Sequence, residues 1–406
     1  MAGPLAGIRV VDLSRVLAGP WCSQLLADYG ADVIKVERPG SGDDTREWGP
    51  PWVRDAAGEA TAESAYFLST NRNKRSITVD LSQQRGQGIV KSLAATADVF
   101  IENFRVGSLV RYGLDAQSLG AANLRLVYCS ISGYGQTGTR AAEPGYDAMI
   151  QASAGLMSLT GARDEDGGSP QKVGVAIADI MAGMYAATAI LAALHSRERT
   201  GRGQHVDVPL YDSQVAWLAN QAMNYLVSGE LPKRLGTAHP NIVPYQSFAT
   251  RDGYLMLAVG TDRQFRACVD CLGCPALADL PEYASNARRV ANREALVSLL
   301  AERFRERDTA DWVEALQAAR VPAGPINDLA EVLSGPYAEE RELVHSLPHP
   351  TAGSVPTVAN PVTFSATPVE YRCAPPVLGQ DTAAILRQEF GLGDEDIHEL
   401  RQAGVI

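Results

Sequence analysis

One carboxylate stands out by its surroundings. The stretch VGVAIADIMAGMYAATAILAAL, Val173 to Leu194, is 22 residues long, and Asp179 is its single charged side chain. Two readings fit an acid in that place. An Asp just before a helical run is a preferred N-cap, because its oxygen accepts an otherwise unpaired backbone N–H. An Asp in an apolar pocket at a helix start is also a candidate nucleophile. Poor solvation makes it reactive, while helix N–H groups keep it ionised. The local pattern does not choose between the two.

The rest of the chain narrows the chemistry by what it lacks. No Ser sits in G-x-S-x-G. The six histidines, His195, His205, His239, His345, His349 and His398, are scattered, with no H-E-x-x-H. After the first strand-like run the chain reads S-R-V-L-A-G-P rather than G-x-G-x-x-G, and no phosphate-binding P-loop motif occurs. Glu37 stands where an NAD enzyme places its ribose-binding acid, but it has no dinucleotide context. The segment C-V-D-C-L-G-C at Cys268, Cys271 and Cys274 has no second ligand cluster. It reads as a helical face of small apolar thiols, with no metal. A carboxylate nucleophile is the most economical chemistry left.

Such a carboxylate needs a scaffold. With 406 residues the chain is long for one core, so two domains are expected. Its 46% hydrophobic and 20% charged residues suit a soluble globular protein. A net charge of −11 argues against a general nucleic-acid binder, although local Arg groups can still hold a small anion. The runs IRVVDL (Ile8–Leu13), DVIKVE (Asp32–Glu37), KRSITVDL, DVFIEN and LRLVYCSISGYG read as strands. Helical patterns fall between them, around Cys22–Tyr29 and from Gln83 to Ala97. That alternation predicts a parallel sheet covered by helices. The run around Asp179 is long enough to span a membrane, but it is rich in Ala and Gly and carries the acid, so it reads as a buried helix. From about Asn220 the chain is rich in breakers. A smaller unit follows, with DGYLMLAVG as a strand and helical patterns from Gln264 to Ala319. The chain enters its first strand pattern almost at once, which leaves no room for a leader peptide. With six cysteines and no secretory context, a cytoplasmic protein with free thiols is expected.

Longer motifs resemble a known family. PLAGIRVVDLSRVLAGPWCSQLLADYGADVIKVERPGSGDDTREWGPP is similar to the opening of class III CoA-transferases, the family of formyl-CoA and carnitine CoA-transferases. The resemblance continues through NRNKRSITVDL, ADVFIENFRVGSL, SGYGQTG, GYDAM, VGVAIADIMAG, TGRGQHVDVPLYD, VPAGPIN and PPVLGQDT, and covers essentially the whole chain. It implies that Asp179 is the covalent nucleophile of an acyl-CoA:carboxylate CoA-transferase, working through an aspartyl-CoA thioester. It also implies the CoA contacts: Arg38 on the nucleotide phosphates, Val79 at the adenine, and Asn103, Phe104 and Arg105 along the pantetheine, with Arg111 nearby. Tyr146 and Asp147 would sit near the thioester.

The same resemblance implies an α/β fold: a large Rossmann-like domain of parallel sheet with helices, plus a smaller α+β domain, in an interlocked homodimer. The expected division is 1–222 for the first part of the large domain, 223–236 for a linker and 237–324 for the small domain. A return linker over 325–360 and a C-terminal part over 361–406, packing on the large domain, complete it. Motifs such as GDDTREWGPP and RLGTAHPNIVPYQSF are most similar to the branch that moves CoA from succinyl-CoA to glutarate. Arg15, Val16, Leu17, Ala18, Arg46 and His239 are the substrate-side candidates, with Arg15, Arg46 or His239 holding a distal carboxylate. An oxalate acceptor is the alternative. Leu17, where oxalate enzymes carry Gln, and AVGTDRQF, with no tetraglycine, count against it. An α-methylacyl-CoA racemase would need a His at Tyr146, and a non-enzymatic CoA binder would not need Asp179. Expected partners are acyl-CoA and small dicarboxylates, with no permanently bound cofactor, no nucleic acid and no membrane.

Overall fold

The computed structural model describes residues 3–406. Its residues fall into two units. The first comprises 3–156, 173–228 and 338–406, the second 157–172 and 229–337.

The first unit is built on six parallel strands: β1 (Arg9–Asp12), β2 (Asp32–Glu37), β3 (Lys74–Thr78), β4 (Val99–Glu102), β5 (Val127–Ser132) and β6 (His205–Pro209). They lie in the order β3-β2-β1-β4-β5-β6, the doubly wound arrangement. Val10 pairs with Val33 on one side and Val99 on the other. Neighbouring side chains of a strand point to opposite faces, so one β-rich run feeds two cores. Val10, Val33, Ile101 and Cys129 pack against α1 (Ala18–Asp28) and α2 (Ile177–Thr200). Val11, Ile34, Phe100 and Tyr128 meet Ile89 and Leu93, and also Ile385, Leu400 and Ile406 from the C-terminal segment. Burial on both faces is what a parallel sheet requires.

The helix α2 contains the run around Asp179. Among the described residues it alone is long and apolar enough to cross a membrane. Ala178, Ala182, Ala186 and Ile190 are fully buried in the core it shares with α1 and the sheet. Small side chains let α1 and α2 come close. A Cβ on Gly183 would stand 2.5 Å from the Ala18 carbonyl oxygen, so only glycine fits there.

In the second unit, Tyr245–Ala249, Tyr254–Ala258 and Ala323–Pro325 form a small antiparallel sheet. It shares a core of Phe248, Leu255, Phe304, Trp312 and Leu316 with helices that include Asp262–Cys271 and Arg293–Phe304. Cys268 lies in that core, with Cys271 and Cys274 packed against it. Residues 157–172, placed by sequence in the large domain, group with this unit. Arg163 pairs with Glu294 at 3.0 Å, Asp164 with Arg234, and the Gly236 N–H donates to the Gly161 carbonyl at 3.1 Å. The stretch 325–360, read as a linker, contains short helices and the hairpin Val344–His349 with Gly353–Val358.

Candidate active site

In a doubly wound sheet the crevice opens where successive connections leave in opposite directions, here beyond the carboxyl ends of β1 and β4. The loop after β1 carries Ser14 to Leu17, and the loop after β4 carries Asn103 to Arg105. Two cavities flank them. One, of about 380 Å³, is lined by Arg15, Val16, Leu17, Ala18, Phe104 and Tyr146, with Asp179 in its wall. Asn103 and Arg105 line it too. The other, of about 270 Å³, is lined by Arg15, Arg38, Val79, Phe104, Ser108 and Arg111. Arg15 and Phe104 are common to both. Residues far apart in sequence thus meet, and four arginines line these cavities in a chain of net negative charge. Guanidinium forks match phosphate and carboxylate oxygens.

Asp179 is not an N-cap. Ala176 holds that position, and Asp179 is the third helical residue of α2. The N–H of the preceding residue is already used: Asp147 Oδ1 accepts from the Ala178 N–H at 2.8 Å. Among the described residues no hydrogen bond or ion pair reaches the Asp179 carboxylate. Loss of hydration, and secondarily the charge of Asp147, push its pKa up to about 7. The expectation that helix N–H groups hold Asp179 firmly ionised is therefore corrected.

Several other expectations are corrected by the contacts made. Arg46 is not free for a substrate carboxylate. It is buried, makes a bidentate pair with Glu37 at 2.7 and 2.8 Å, donates to the Pro376 carbonyl at 3.0 Å and stacks 3.7 Å over Phe67. Glu37, the residue that looked like a ribose-binding acid, also accepts from Ser76 at 2.7 Å and is fully engaged inside the protein. His239 belongs to the second unit. Its ring stacks on Tyr245, and burial and the nearby Arg293 push its pKa down, so it is a neutral ring at pH 7 rather than a fixed cation. Asp147, expected near the thioester, is close enough for its charge to act on Asp179, and its second oxygen accepts from Gln151 at 2.7 Å. Val79 is both core and cavity wall. Arg38 donates to Ser41 at 2.8 Å, and Arg111 lies 4.5 Å over Tyr112.

Arg15 and Arg105 are the two arginines in the wall of the Asp179 cavity, and Arg15 is the one on the loop after β1. The Arg15 guanidinium lies 5.2 Å from the centre of the Phe104 ring and pairs with Asp44 at 3.2 Å, with both side chains more than 40% exposed. The next residue, Val16, has φ +72, a left-handed conformation rare for a β-branched side chain and worth roughly 1–3 kcal/mol of strain. Sequence reading missed the groups that hold it, Lys35 and Asp43. The available signal was a lysine inside the buried strand DVIKVE. It also missed Glu102, at the end of β4. Burial pushes the Glu102 pKa up to about 7 although Ser130 and the Phe104 N–H both bond to it.

Fold and site define an α/β protein that presents one unpartnered carboxylate to a cation-lined crevice. The model of CoA-transferase family III matches residues 5–382, and the chain belongs to that family. It is 49% identical to a succinate–glutarate CoA-transferase from Agrobacterium fabrum, over 95% of each chain. It is 45% identical to the succinyl-CoA:glutarate CoA-transferase of Mus musculus, over 99% of this chain and 90% of that one. A CAIB/BAIF family protein from Brucella suis superposes with a TM-score of 0.84 at 48% identity, covering 96% of this chain and all of its own.

Proposed function

We propose that this enzyme moves CoA from succinyl-CoA to glutarate, or to a related C5 diacid such as itaconate, through an aspartyl-CoA thioester on Asp179. The carrying observation is the unpartnered Asp179 carboxylate facing a cavity whose wall also holds Arg15. In the first step an Asp179 oxygen attacks the succinyl thioester carbonyl and CoA leaves as thiolate, giving a mixed anhydride. The thiolate then attacks the Asp179 carbonyl carbon and releases succinate. The acceptor carboxylate attacks the aspartyl thioester, CoA leaves again, and its thiolate takes the acyl group from the second anhydride. Every intermediate is an activated acyl, so no ATP is consumed. Water must be kept out, which the apolar run around Asp179 favours.

Arg38 and Arg111 suit the nucleotide phosphates, Val79 and Phe104 the apolar contacts, and Arg15 the distal carboxylate. Tyr146, 66% exposed at the cavity wall, is free to move against the acyl chain. CoA and its thioesters are substrates in this reading. It includes no permanently bound cofactor, metal, nucleic acid or membrane, and places the protein in the cytoplasm.

The reading includes a homodimer. Its support is the helix Ala219–Ser228, which has no buried residue and exposes Met223, Leu226 and Val227, the last at 80%. Nearby, Gln214, Trp217 and Gln221 keep buried polar atoms without partners among the described residues. A second copy would cover the exposed apolar face; light scattering after size exclusion tests it.

The activity is tested by offering succinyl-CoA with a panel of acids and reading the CoA products by mass spectrometry. Glutaryl-CoA or a C5-diacyl product should dominate. Preference for oxalate over every C4–C6 diacid would overturn the substrate assignment.

A further inference from the structure

The crevice between β1 and β4 is a place where the sheet holds nothing together. The last ladder bond runs from the Leu13 N–H to the Ile101 carbonyl at 2.8 Å. Beyond it the two loops diverge. Asn103 bridges them with its side-chain amide, whose oxygen accepts from the Arg15 N–H at 2.9 Å and whose nitrogen donates to the Arg15 carbonyl at 2.7 Å. One amide thus reproduces the pair of bonds that a neighbouring strand would make.

The adjoining residues are gripped as well. The Val16 N–H donates to Asp43 Oδ1 at 3.1 Å. Lys35 donates to Asp43 Oδ2 at 2.8 Å and to the Ser14 carbonyl at 2.9 Å, and the side chains of Lys35 and Asp43 are 0% exposed. Ser14, Arg15 and Val16 therefore each have backbone held by a buried or half-buried side chain. Burial alone would raise the Asp43 pKa, but the Lys35 charge and the hydrogen bonds from Lys35 and Thr45 outweigh it and bring it to about 2. The pair stays ionised across the working pH range.

We propose that Asn103, together with the Lys35–Asp43 pair, is a positioning device that keeps Val16 left-handed and thereby sets where Arg15 stands in the substrate cavity. Val16 occupies the βα turn where dinucleotide-binding sheets use glycine to turn without strain. A valine in that conformation persists only when its surroundings over-determine it, and these side chains do so. The arrangement makes the loop rigid while leaving the Arg15 guanidinium half-exposed. Its ion pair with Asp44 is exposed and easily exchanged for a substrate carboxylate. The inference rests on the reading that Arg15 receives the distal carboxylate of a diacid.

A double-mutant cycle of Asn103→Ala and Val16→Gly in the full-length enzyme tests it. Asn103→Ala should raise the glutarate KM roughly tenfold or more, and by several-fold more than it raises the KM of a monocarboxylate acceptor such as valerate, because any loss of CoA contact weighs on both acceptors alike. In the Val16→Gly background the same substitution should have little effect, because glycine needs no brace. Equal losses in both backgrounds, or equal losses for glutarate and valerate, would overturn the proposal. If Asn103→Ala alone is insoluble, the double variant should be soluble, and an insoluble double variant also overturns it. Should wild-type enzyme make no glutaryl-CoA, the substrate reading fails instead. The brace is then read from melting temperatures, where the losses must still be non-additive, with Val16→Gly absorbing most of the Asn103→Ala loss.

Discussion

Asp147 accepts the Ala178 N–H at 2.8 Å, one residue before Asp179 in the chain. The acid that caps the first turn of α2 is therefore not the acid that faces the cavity. This division leaves Asp179 without a hydrogen-bond donor and beside a second carboxylate, and both raise its proton affinity. A carboxylate held this way is weakly solvated, and ionised only as the pH approaches neutrality.

The pH profile should show this. The attacking form is the carboxylate, so kcat/KM for the acyl-CoA should climb about tenfold per pH unit below about 7 and level off above it. Asp147→Asn keeps an oxygen for the Ala178 N–H but removes the charge. The acid limb should then move to lower pH without reaching the ordinary value near 3.8, because desolvation is the larger cause. A limb unmoved by this substitution contradicts the coupling.

Stability should carry the same signature. The folded Asp179 pKa lies above its ordinary value of 3.8, so the folded state holds the proton more tightly than the unfolded chain. Its contribution therefore declines as pH rises from about 4 to about 7, reaching a cost on the order of 4 kcal/mol above that window. Asp179→Asn should accordingly raise the melting temperature at pH 8, with the gain shrinking toward pH 4. Scanning calorimetry at both pH values checks it, and a pH-independent difference would count against the assignment.

Gly183→Ala tests the closeness of α1 and α2. The added methyl would meet the Ala18 carbonyl at 2.5 Å and the Trp21 side chain at 3.2 Å. Overpacking of this kind costs roughly 1–3 kcal/mol, and the shift would move Ala18 and Asp179 apart. A lower melting temperature and reduced kcat are expected together, and wild-type values for both would show that the helices yield freely.

Arg46 and Arg15 should separate cleanly. Arg46→Ala leaves Glu37 buried beside a vacated partner, which costs about 3–5 kcal/mol, and acts on stability whatever acceptor is used. Arg15→Ala should leave the melting temperature nearly unchanged and raise KM for glutarate but not for valerate. The reverse pattern would return Arg46 to the substrate site.

Much of this site was legible in the sequence because strand periodicity is strong where both faces are buried. DVIKVE is a strand from Asp32 to Glu37, as its pattern implied, and the helix read from Gln83 to Ala97 spans Gln84–Thr96. Asp179 was conspicuous because a lone charge in an apolar run is conspicuous. What stayed hidden depends on contacts across long sequence separations. Asn103 reaches Arg15, 88 residues away, and nothing in ENFRVG says that the amide turns to a backbone rather than to a ligand. Arg46 looked available because its partner Glu37 sits on a different element. Asp147 was expected near the thioester, and only the fold shows that it also meets the start of α2.

The central claim is that Asp179 carries CoA covalently. Its most direct test is mass spectrometry of the active-site peptide after incubation with succinyl-CoA in the absence of acceptor. A CoA thioester on Asp179, removed by hydroxylamine and lost in Asp179→Ala, is expected, together with loss of CoA transfer in that variant. Continued turnover by Asp179→Ala, or an adduct on any other residue that forms at the rate of turnover, would contradict it.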